Sequence, residues 1–348
     1  MSLLSVLKSA KSSLAVSLLI GSMLIPSSAA DAHVKWFCAF NVAGQPVGLE
    51  NVLCQDFELL TGFAIFVLLL GCIIDRTFVG DALISSLDRV TGTLMTNTET
   101  IMRAAVGFFL VALWTLGGIL LTPELTTTSP LIPWMQLAMA ACLLSRRTMP
   151  LTALGIVFLF GLAVVNYGVF HLMDYPIFLG IAAYLALVGL QRNLFGIRPL
   201  DVLRWATAIT LMWASVEKWA YPEWSYPLFT THPEMAMGYD PAFFMRAAGV
   251  VEFTMSFALI WSPLVRRFAA VMLAATFVSA IAEFGKVDAI GHAPIIAVLL
   301  VVIGDQVKEV PRLARKMVFL PLQYGGALAA FLALYYVGHA ALFGTTLT

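Results

Sequence analysis

The sequence predicts an all-α integral membrane protein, a polytopic bundle of about ten transmembrane helices. Of its 348 residues, 60% are hydrophobic and only 11% are charged, whereas a soluble domain carries about 25% charged residues. The apolar residues also fall in runs close to the roughly 20 residues that a helix needs to cross a bilayer. The lipid bilayer is therefore the first partner expected. The net charge of zero gives no support to nucleic-acid binding.

Residues 1–32 have the pattern of a cleavable signal peptide. Lys8 and Lys11 precede an apolar stretch, and Ala30-Asp31-Ala32 supplies a cleavage site of small residues. Cleavage there makes His33 the first residue of the mature chain. A terminal amine and an imidazole together can chelate copper, and the alternative is an ordinary surface histidine.

An extracytoplasmic segment, 33–56, follows the signal peptide. It contains Cys38 and Cys54. In an oxidising compartment these two cysteines can form a disulfide, but spacing alone leaves the pairing open.

Ten apolar runs are candidate transmembrane spans. They cover residues 57–74, 101–121, 131–145, 149–170, 175–191, 199–219, 241–261, 264–284, 288–304 and 320–343. With residue 33 outside, the loops that fall inside carry Lys or Arg, and the outside loops 122–130 and 171–174 carry neither. Positive charge is enriched on the cytoplasmic side of membrane proteins. We therefore expect a multi-pass protein of the bacterial inner membrane with both mature termini in the periplasm.

The spans group into four further segments. Residues 57–100 form the first span and a cytoplasmic amphipathic helix, in which apolar residues recur every three or four positions. Residues 101–197 form one four-helix repeat and 198–305 a second. Residues 306–348 form a cytoplasmic basic loop and the last span.

The repeat is predicted from landmarks that recur in both copies. Arg103 corresponds to Arg204, Pro123-Glu124 to Pro222-Glu223, and Arg146-Arg147 to Arg266-Arg267. Because each copy has four spans, the two copies would lie parallel in the membrane. Chance similarity between apolar segments is the alternative.

Ionisable residues are concentrated in the second repeat. Charges inside a bilayer are costly, so they are usually paired and often functional. Seven are expected to converge on one pocket near the outer surface, namely Glu217, Lys218, Arg246, Glu252, Glu283, Lys286 and His292. They form either an ion-pair network that holds helices together or a pocket for a proton-exchanging ligand such as a quinone. In the second interpretation Lys218, Arg246 or His292 donate hydrogen bonds, and Glu252 or Glu283 relay protons.

A second candidate site is a copper site at the outer surface. The loop 220–241 contains His232, Met235 and Met237, and histidine with methionine suits copper. His33 is predicted on the same side. Packing of the methionines against other side chains is the alternative.

The second repeat resembles the DoxX family of four-helix membrane proteins. The resemblance rests on Leu203-Arg204 opening a helix that ends in Lys218-Trp219, on Glu252 in a helix that precedes Arg266-Arg267-Phe268-Ala269-Ala270, and on Asp305 after the last span. It covers about residues 200–305. It implies that Arg204, Lys218 and Glu252 are functional positions. The family includes a subunit of an archaeal thiosulfate:quinone oxidoreductase and members of bacterial redox-stress complexes, whereas this chain adds a leader, an outer segment and a further four-span copy.

Three functions follow as hypotheses. The first is the membrane subunit of a quinone-linked redox system with a redox partner subunit, since the sequence contains no haem, flavin, iron–sulfur or nucleotide motif. The second is a transporter or binding protein for a metal, copper in particular, or for a small solute. The third is a non-catalytic membrane scaffold.

Overall fold

The computed structural model describes residues 34–191, 196–307 and 317–346. The predicted signal peptide and His33 therefore lie outside the described residues. Within those ranges the chain is almost entirely α-helical, and a single antiparallel bridge between Ile119 and Thr126 is its only β pairing. The predicted all-α fold class is confirmed.

Thirteen α-helices occur in the described residues. They are α1 (Leu49–Val52), α2 (Gln55–Asp75), α3 (Phe78–Thr96), α4 (Thr98–Leu116), α5 (Leu131–Cys142), α6 (Met149–Tyr167), α7 (Val169–Leu172), α8 (Pro176–Gly189), α9 (Pro199–Ala220), α10 (Tyr226–Thr231), α11 (Pro241–Ala258), α12 (Pro263–Ile303) and α13 (Leu320–Phe343). Short 3-10 helices lie at Val34–Trp36, Pro222–Ser225, Pro233–Ala236 and Met317–Phe319.

Every predicted span coincides with one helix or with one half of α12. In the described part of the chain, five segments are long and apolar enough to cross a membrane, namely Gln55–Asp75, Thr98–Leu116, Met149–Tyr167, Pro263–Ile303 and Met317–Phe343. Helices α5 and α8 are apolar but shorter. Helices α9 and α11 carry charged residues within their length. A multi-pass membrane bundle is therefore supported, and the number of ten spans stays a prediction.

The helix ends follow from local chemistry. Asp240 caps α11, because its carboxylate accepts hydrogen bonds from the backbone N–H groups of Ala242 and Phe243, both at 3.0 Å. Helix α9 has Asp201 in its first turn and Lys218 in its last turn, which complements the helix dipole. Helix α12 is two helices joined at Gly285, whose φ of 73° and ψ of −143° suit glycine and break the helical path.

Helix α9 is the centre of the bundle. It packs against α8 of the first predicted repeat, against α11 and α12 of its own repeat, and against α13. Helix α12 in turn packs against α4. Contacts of α8 with α9 and of α12 with α4 therefore join the two predicted repeats.

The bundle has two chemically different ends. Residues 34–54 cover one end, where Tyr221 donates a hydrogen bond to the Gly44 carbonyl and Tyr336 donates one to the Val47 carbonyl. We call this the Lys35 end. The opposite end carries Arg103, Arg204 and Arg266, and we call it the arginine end.

Helix α3 lies at the arginine end. Its buried residues are Gly80, Ile84 and Thr91, whereas Val79, Leu83 and Val90 are exposed. Such an outward apolar face is expected of an amphipathic helix on a membrane surface.

Candidate functional site

An ion pair inside the bundle joins Lys218 of α9 to Glu252 of α11. Their Nζ and Oε2 atoms are 2.7 Å apart, and the side chains are 16% and 14% exposed. Helices α9 and α11 pack closely along their length, which brings the end of the first helix against the middle of the second. Two residues that the resemblance implied as functional are therefore in direct contact.

A polar cavity opens beside this pair at the Lys35 end. Lys218, Glu252, His292 and Asp174 all line it, and Trp36 covers one side. Its volume is about 50 Å³. One water molecule needs roughly 10–15 Å³ of such space, so the cavity has room for a few waters but not for an aromatic ring.

His292 is held firmly in the wall of this cavity. Its ring lies between Trp36 and Phe277, with ring centroids at 4.7 and 4.6 Å. Its Nδ1 atom is 3.0 Å from Oδ2 of Asp288, which is fully buried. Gly291 permits this packing, because a Cβ atom there would lie 1.9 Å from the Trp36 ring.

An apolar groove lies on the other side of Glu252, between α11 and α12. Its volume is about 370 Å³. Aromatic, aliphatic and methionine side chains dominate its lining, and Glu252 is the only charged residue among them. Val251 and Met272, on the two helices, are exposed at its surface. Glu252 therefore lines both compartments, the groove and the cavity.

A second buried ion cluster adjoins the cavity. The ammonium group of Lys35 contacts the carboxylate of Asp174 and lies 2.7 Å from Oε1 of Glu217. Phe40 and Trp224 present their rings to the same ammonium, at 5.6 and 5.4 Å. Burial alone would lower the pKa of Lys35, but the two carboxylates more than offset it, so the pKa is above its usual value.

A third buried group of side chains continues from Asp174. The Tyr175 hydroxyl donates a hydrogen bond to Glu124, and His171 lies 3.9 Å from the same carboxyl. Burial raises the pKa of Glu124 to about 7. Burial, reinforced by the charge of Lys35, lowers the pKa of His171 to about 4. Both residues therefore favour their neutral forms.

The single pocket expected from the sequence is divided between several places. Lys218, Glu252 and His292 line the cavity. Glu217 faces Lys35 instead, because neighbouring residues on a helix point about 100° apart.

The other predicted pocket residues lie nearer the surface. Arg246 pairs with Asp56 of α2 at 2.9 Å. Glu283 contacts His232 at 2.6 Å, and Lys286 is exposed. None of these three lines the cavity.

The residues predicted to bind copper, His232, Met235 and Met237, lie in different surroundings. Met235 is buried in a small apolar cluster around Phe229 and Phe244, and Met237 lines the apolar groove. The imidazole of His232 faces the carboxylates of Glu234 and Glu283, with the ligating atoms of the three residues within 4.8 Å of one another.

Arg204 lies at the arginine end, away from the cavity. It is 3% exposed and pairs with Asp201 at 2.8 Å. The third position implied by the resemblance therefore belongs to a separate cluster.

Three residues of the site escaped the sequence analysis. Lys35, Asp174 and Asp288 were not among the predicted site residues. One feature of the sequence indicated a missing cation. The predicted outside loops of the first repeat contain Glu124 and Asp174 but no Lys or Arg. Their cation had to come from elsewhere, and Lys35 is the only Lys or Arg in segment 33–56.

Comparison with known proteins identifies the part of the chain that holds the ion pair. No curated protein and no solved structure matched this chain. Residues 200–286, which carry Arg204, Lys218 and Glu252, match the model of the DoxX family. The match ends before Asp288 and His292, so the cavity combines residues inside and outside the matched region. The predicted likeness of the second repeat to DoxX membrane proteins is therefore confirmed.

Proposed function

We propose that this chain is the membrane subunit of a quinone-linked redox system and that Glu252 and Lys218 bind the quinone headgroup. One observation carries the proposal. Glu252 is the charged residue shared by the apolar groove and the polar cavity. A lipid-soluble ligand that exchanges protons needs this combination, an apolar approach and a titratable group at its inner end.

The two compartments suit different parts of such a ligand. The groove, at about 370 Å³, has room for a ring and part of an apolar tail, whereas the cavity, at about 50 Å³, is too small for a ring. An ammonium group carries three donors, so Lys218 can serve Glu252 and a carbonyl oxygen of the ligand together. The ring would lie in the groove against Glu252, and its carbonyl would reach past Glu252 towards Lys218, which lines the cavity and not the groove.

The chemistry divides between this chain and a partner. Reduction of a quinone to a quinol consumes two electrons and two protons. A redox partner subunit supplies the electrons, since the sequence carries no motif for a redox centre. The two protons would come from solvent through the cavity, which Asp174 and His292 also line, and Glu252, a carboxylate paired with Lys218, would relay them to the groove side.

We also propose in which membrane the protein lies and which side the cavity faces. The distribution of Lys and Arg between loops supports a bacterial inner membrane with both mature termini in the periplasm. The Lys35 end, with the cavity, then faces the periplasm. Protons would be exchanged on that side.

Binding of a short-chain ubiquinone to the purified full-length protein tests the proposal. In nanodiscs, we expect Glu252→Gln and Lys218→Met each to weaken binding by about tenfold or more, as for loss of a charge-assisted hydrogen bond. Ala248→Phe should weaken binding by filling the groove while it leaves the Lys218–Glu252 pair in place. Lys286→Met is the matched control, because Lys286 is exposed and lines neither compartment.

Size-exclusion chromatography of each variant separates lost binding from lost folding. Unchanged binding in folded Glu252→Gln would overturn the proposal. A Glu252→Gln protein with lower stability and no quinone binding in the wild type would support the scaffold function instead.

A second candidate function, metal binding, has one supporting observation. One nitrogen of His232 and one carboxylate oxygen each of Glu234 and Glu283 lie within 4.8 Å of one another. Such a donor set suits Zn²⁺ or Mn²⁺ better than copper with methionine. Zinc content after loading and dialysis, compared between wild type and His232→Ala, tests it, and equal content in both would exclude this site.

A further inference from the structure

Three arginines share two aspartates at the arginine end of α9 and α12. Arg198 contacts Asp201 at 2.7 Å and Asp305 at 3.1 Å. Asp201 also pairs with Arg204 at 2.8 Å, and Asp305 with Arg266 at 3.4 Å. The row therefore runs Arg204, Asp201, Arg198, Asp305, Arg266. Among the residues that the structure describes here, three guanidinium groups face two carboxylates, which leaves one positive charge without a counter-ion.

The uncompensated charge is buried. Arg204 and Arg266 are 3% and 0% exposed. Of the atoms that the structure describes, none accepts a hydrogen bond from Nε or Nη1 of Arg204, or from Nε or Nη1 of Arg266. Buried donors without acceptors and an unpaired buried charge are both costly.

The arginine at the corresponding position in the first predicted repeat, Arg103, is fully hydrogen-bonded. Arg103 donates from Nε to the Leu143 carbonyl at 2.7 Å and from Nη2 to the Leu144 carbonyl at 2.6 Å, and its Nη1 is 3.3 Å from Glu99. All three of its nitrogens have acceptors. Arg146, which shares Glu99, is half exposed to the surroundings. Of these corresponding arginines, those of the second repeat are therefore the ones that have buried nitrogens without hydrogen-bond acceptors.

We propose that the Arg198–Arg204–Arg266 row binds a phosphate group, either the headgroup phosphate of an anionic phospholipid or inorganic phosphate. A phosphate supplies the missing negative charge, and its oxygens match the fork of a guanidinium. Arg198, whose side chain is 35% exposed, is where the ligand arrives. Side-chain rotation, which is common on binding, lets Arg204 and Arg266 reach it. The site is separate from the quinone site and does not depend on it.

Thermal unfolding of the full-length protein tests the proposal in two comparisons. In detergent, potassium phosphate is compared with potassium chloride at equal ionic strength. In nanodiscs, phosphatidylcholine with phosphatidylglycerol is compared with phosphatidylcholine alone. We expect a rise in the unfolding midpoint of about 2 °C or more in at least one comparison. A rise only with phosphatidylglycerol identifies the lipid headgroup, and a rise with phosphate in detergent shows that the free anion suffices.

Three variants test whether the rise in the unfolding midpoint depends on the arginine row. Arg204→Gln should lose the rise, whereas the matched Arg103→Gln should keep it. Asp201→Asn removes one of the two competing carboxylates, so it should enlarge the rise, and it tests the proposal even where Arg204→Gln fails to fold. Absence of any rise in the wild type, or an equal rise in Arg204→Gln, would overturn the proposal, since water would then satisfy the donors.

Discussion

The ammonium nitrogen of Lys35 lies 2.7 Å from the carboxylate of Glu217, 182 positions later in the chain. Its other contact, Asp174, belongs to the first predicted repeat. One side chain therefore joins the N-terminal segment to both halves of the bundle. Its side chain is 1% exposed, so these contacts are made away from water.

Replacement of Lys35 should be strongly destabilising. Lys35→Met leaves two buried carboxylates without their cation, and breaking a buried pair in this way costs about 3–5 kcal/mol. Chemical unfolding in detergent should show the loss. Lys286→Met, which removes an exposed lysine, should change the stability by about 0.5 kcal/mol or less. Equal effects of the two substitutions would contradict the assigned role of Lys35.

Glu124 and His171 should give opposite pH dependences that offset each other in the wild type between pH 4.5 and 6.5. The pKa of Glu124 rises from 4.5 to about 7, so the folded state holds a proton that the unfolded state has lost, and stability falls as the pH rises from 4.5 to 7. The pKa of His171 falls from 6.5 to about 4, so the unfolded state binds the extra proton, and stability rises from pH 4 to 6.5.

Single variants should expose each dependence in turn. Glu124→Gln should become more stable from pH 4 to 6.5, and His171→Asn less stable from pH 4.5 to 7, each by up to about 3 kcal/mol. Unfolding free energies measured across this range check both slopes. The double variant should have the same slope as the wild type between pH 4.5 and 6.5, and a change of slope of the wrong sign in either single variant would refute the assignment.

Gly291 should not tolerate a side chain. In Gly291→Ala the new Cβ atom would lie 1.9 Å from the Trp36 ring, so Trp36 must move off His292. We expect a loss of about 1–3 kcal/mol and a change in Trp fluorescence. Gly326→Ala, in α13, is the matched control, because nothing lies within 4 Å of its Cβ. The control should be neutral or slightly stabilising.

Asp88 should anchor α3 to the bundle. Arg267, which is 1% exposed at its side chain, contacts Asp88 and donates hydrogen bonds to Thr91 and to the Ile303 carbonyl. Asp88→Asn should therefore loosen α3 and cost about 2 kcal/mol or more. Asp81→Asn, on the same helix but exposed, should cost little. Faster proteolysis within α3 in the first variant only would provide the measurement.

The fold was largely predictable from the sequence, because bilayer-length apolar runs leave few alternatives. All ten runs became helices, and their ends shifted by at most five residues. The largest shift is at the end of α4, where Gly117 takes a φ of 66° and turns the chain before residue 121. The amphipathic segment between the first two runs also became a helix, and its Asp88, with a side chain that is 25% exposed, pairs with Arg267 of α12.

The site was predictable only in part, because residue type does not give direction. Lys218 and Glu252 were recognised as charges placed where charges are costly. Glu217 was assigned to the same pocket from its position in the chain. Adjacent residues on a helix point about 100° apart, so Glu217 faces Lys35 instead. The role of Lys35 could not be predicted, because its partners lie 139 and 182 residues away in the chain. Periodicity carries no information over such a separation.

The long separation between Lys35 and its partners has a consequence for assembly. Contacts between distant parts of a chain form slowly, because a large loop must close first. The N-terminal segment is synthesised before every partner that it covers, and Asp174 and Glu217 become available only when α8 and α9 are in place. Seating of Lys35 is therefore a late folding event, and until it happens the cavity wall formed by Trp36 is missing. A newly made chain would expose the Glu252 cavity to its surroundings until Lys35 and Trp36 are in place.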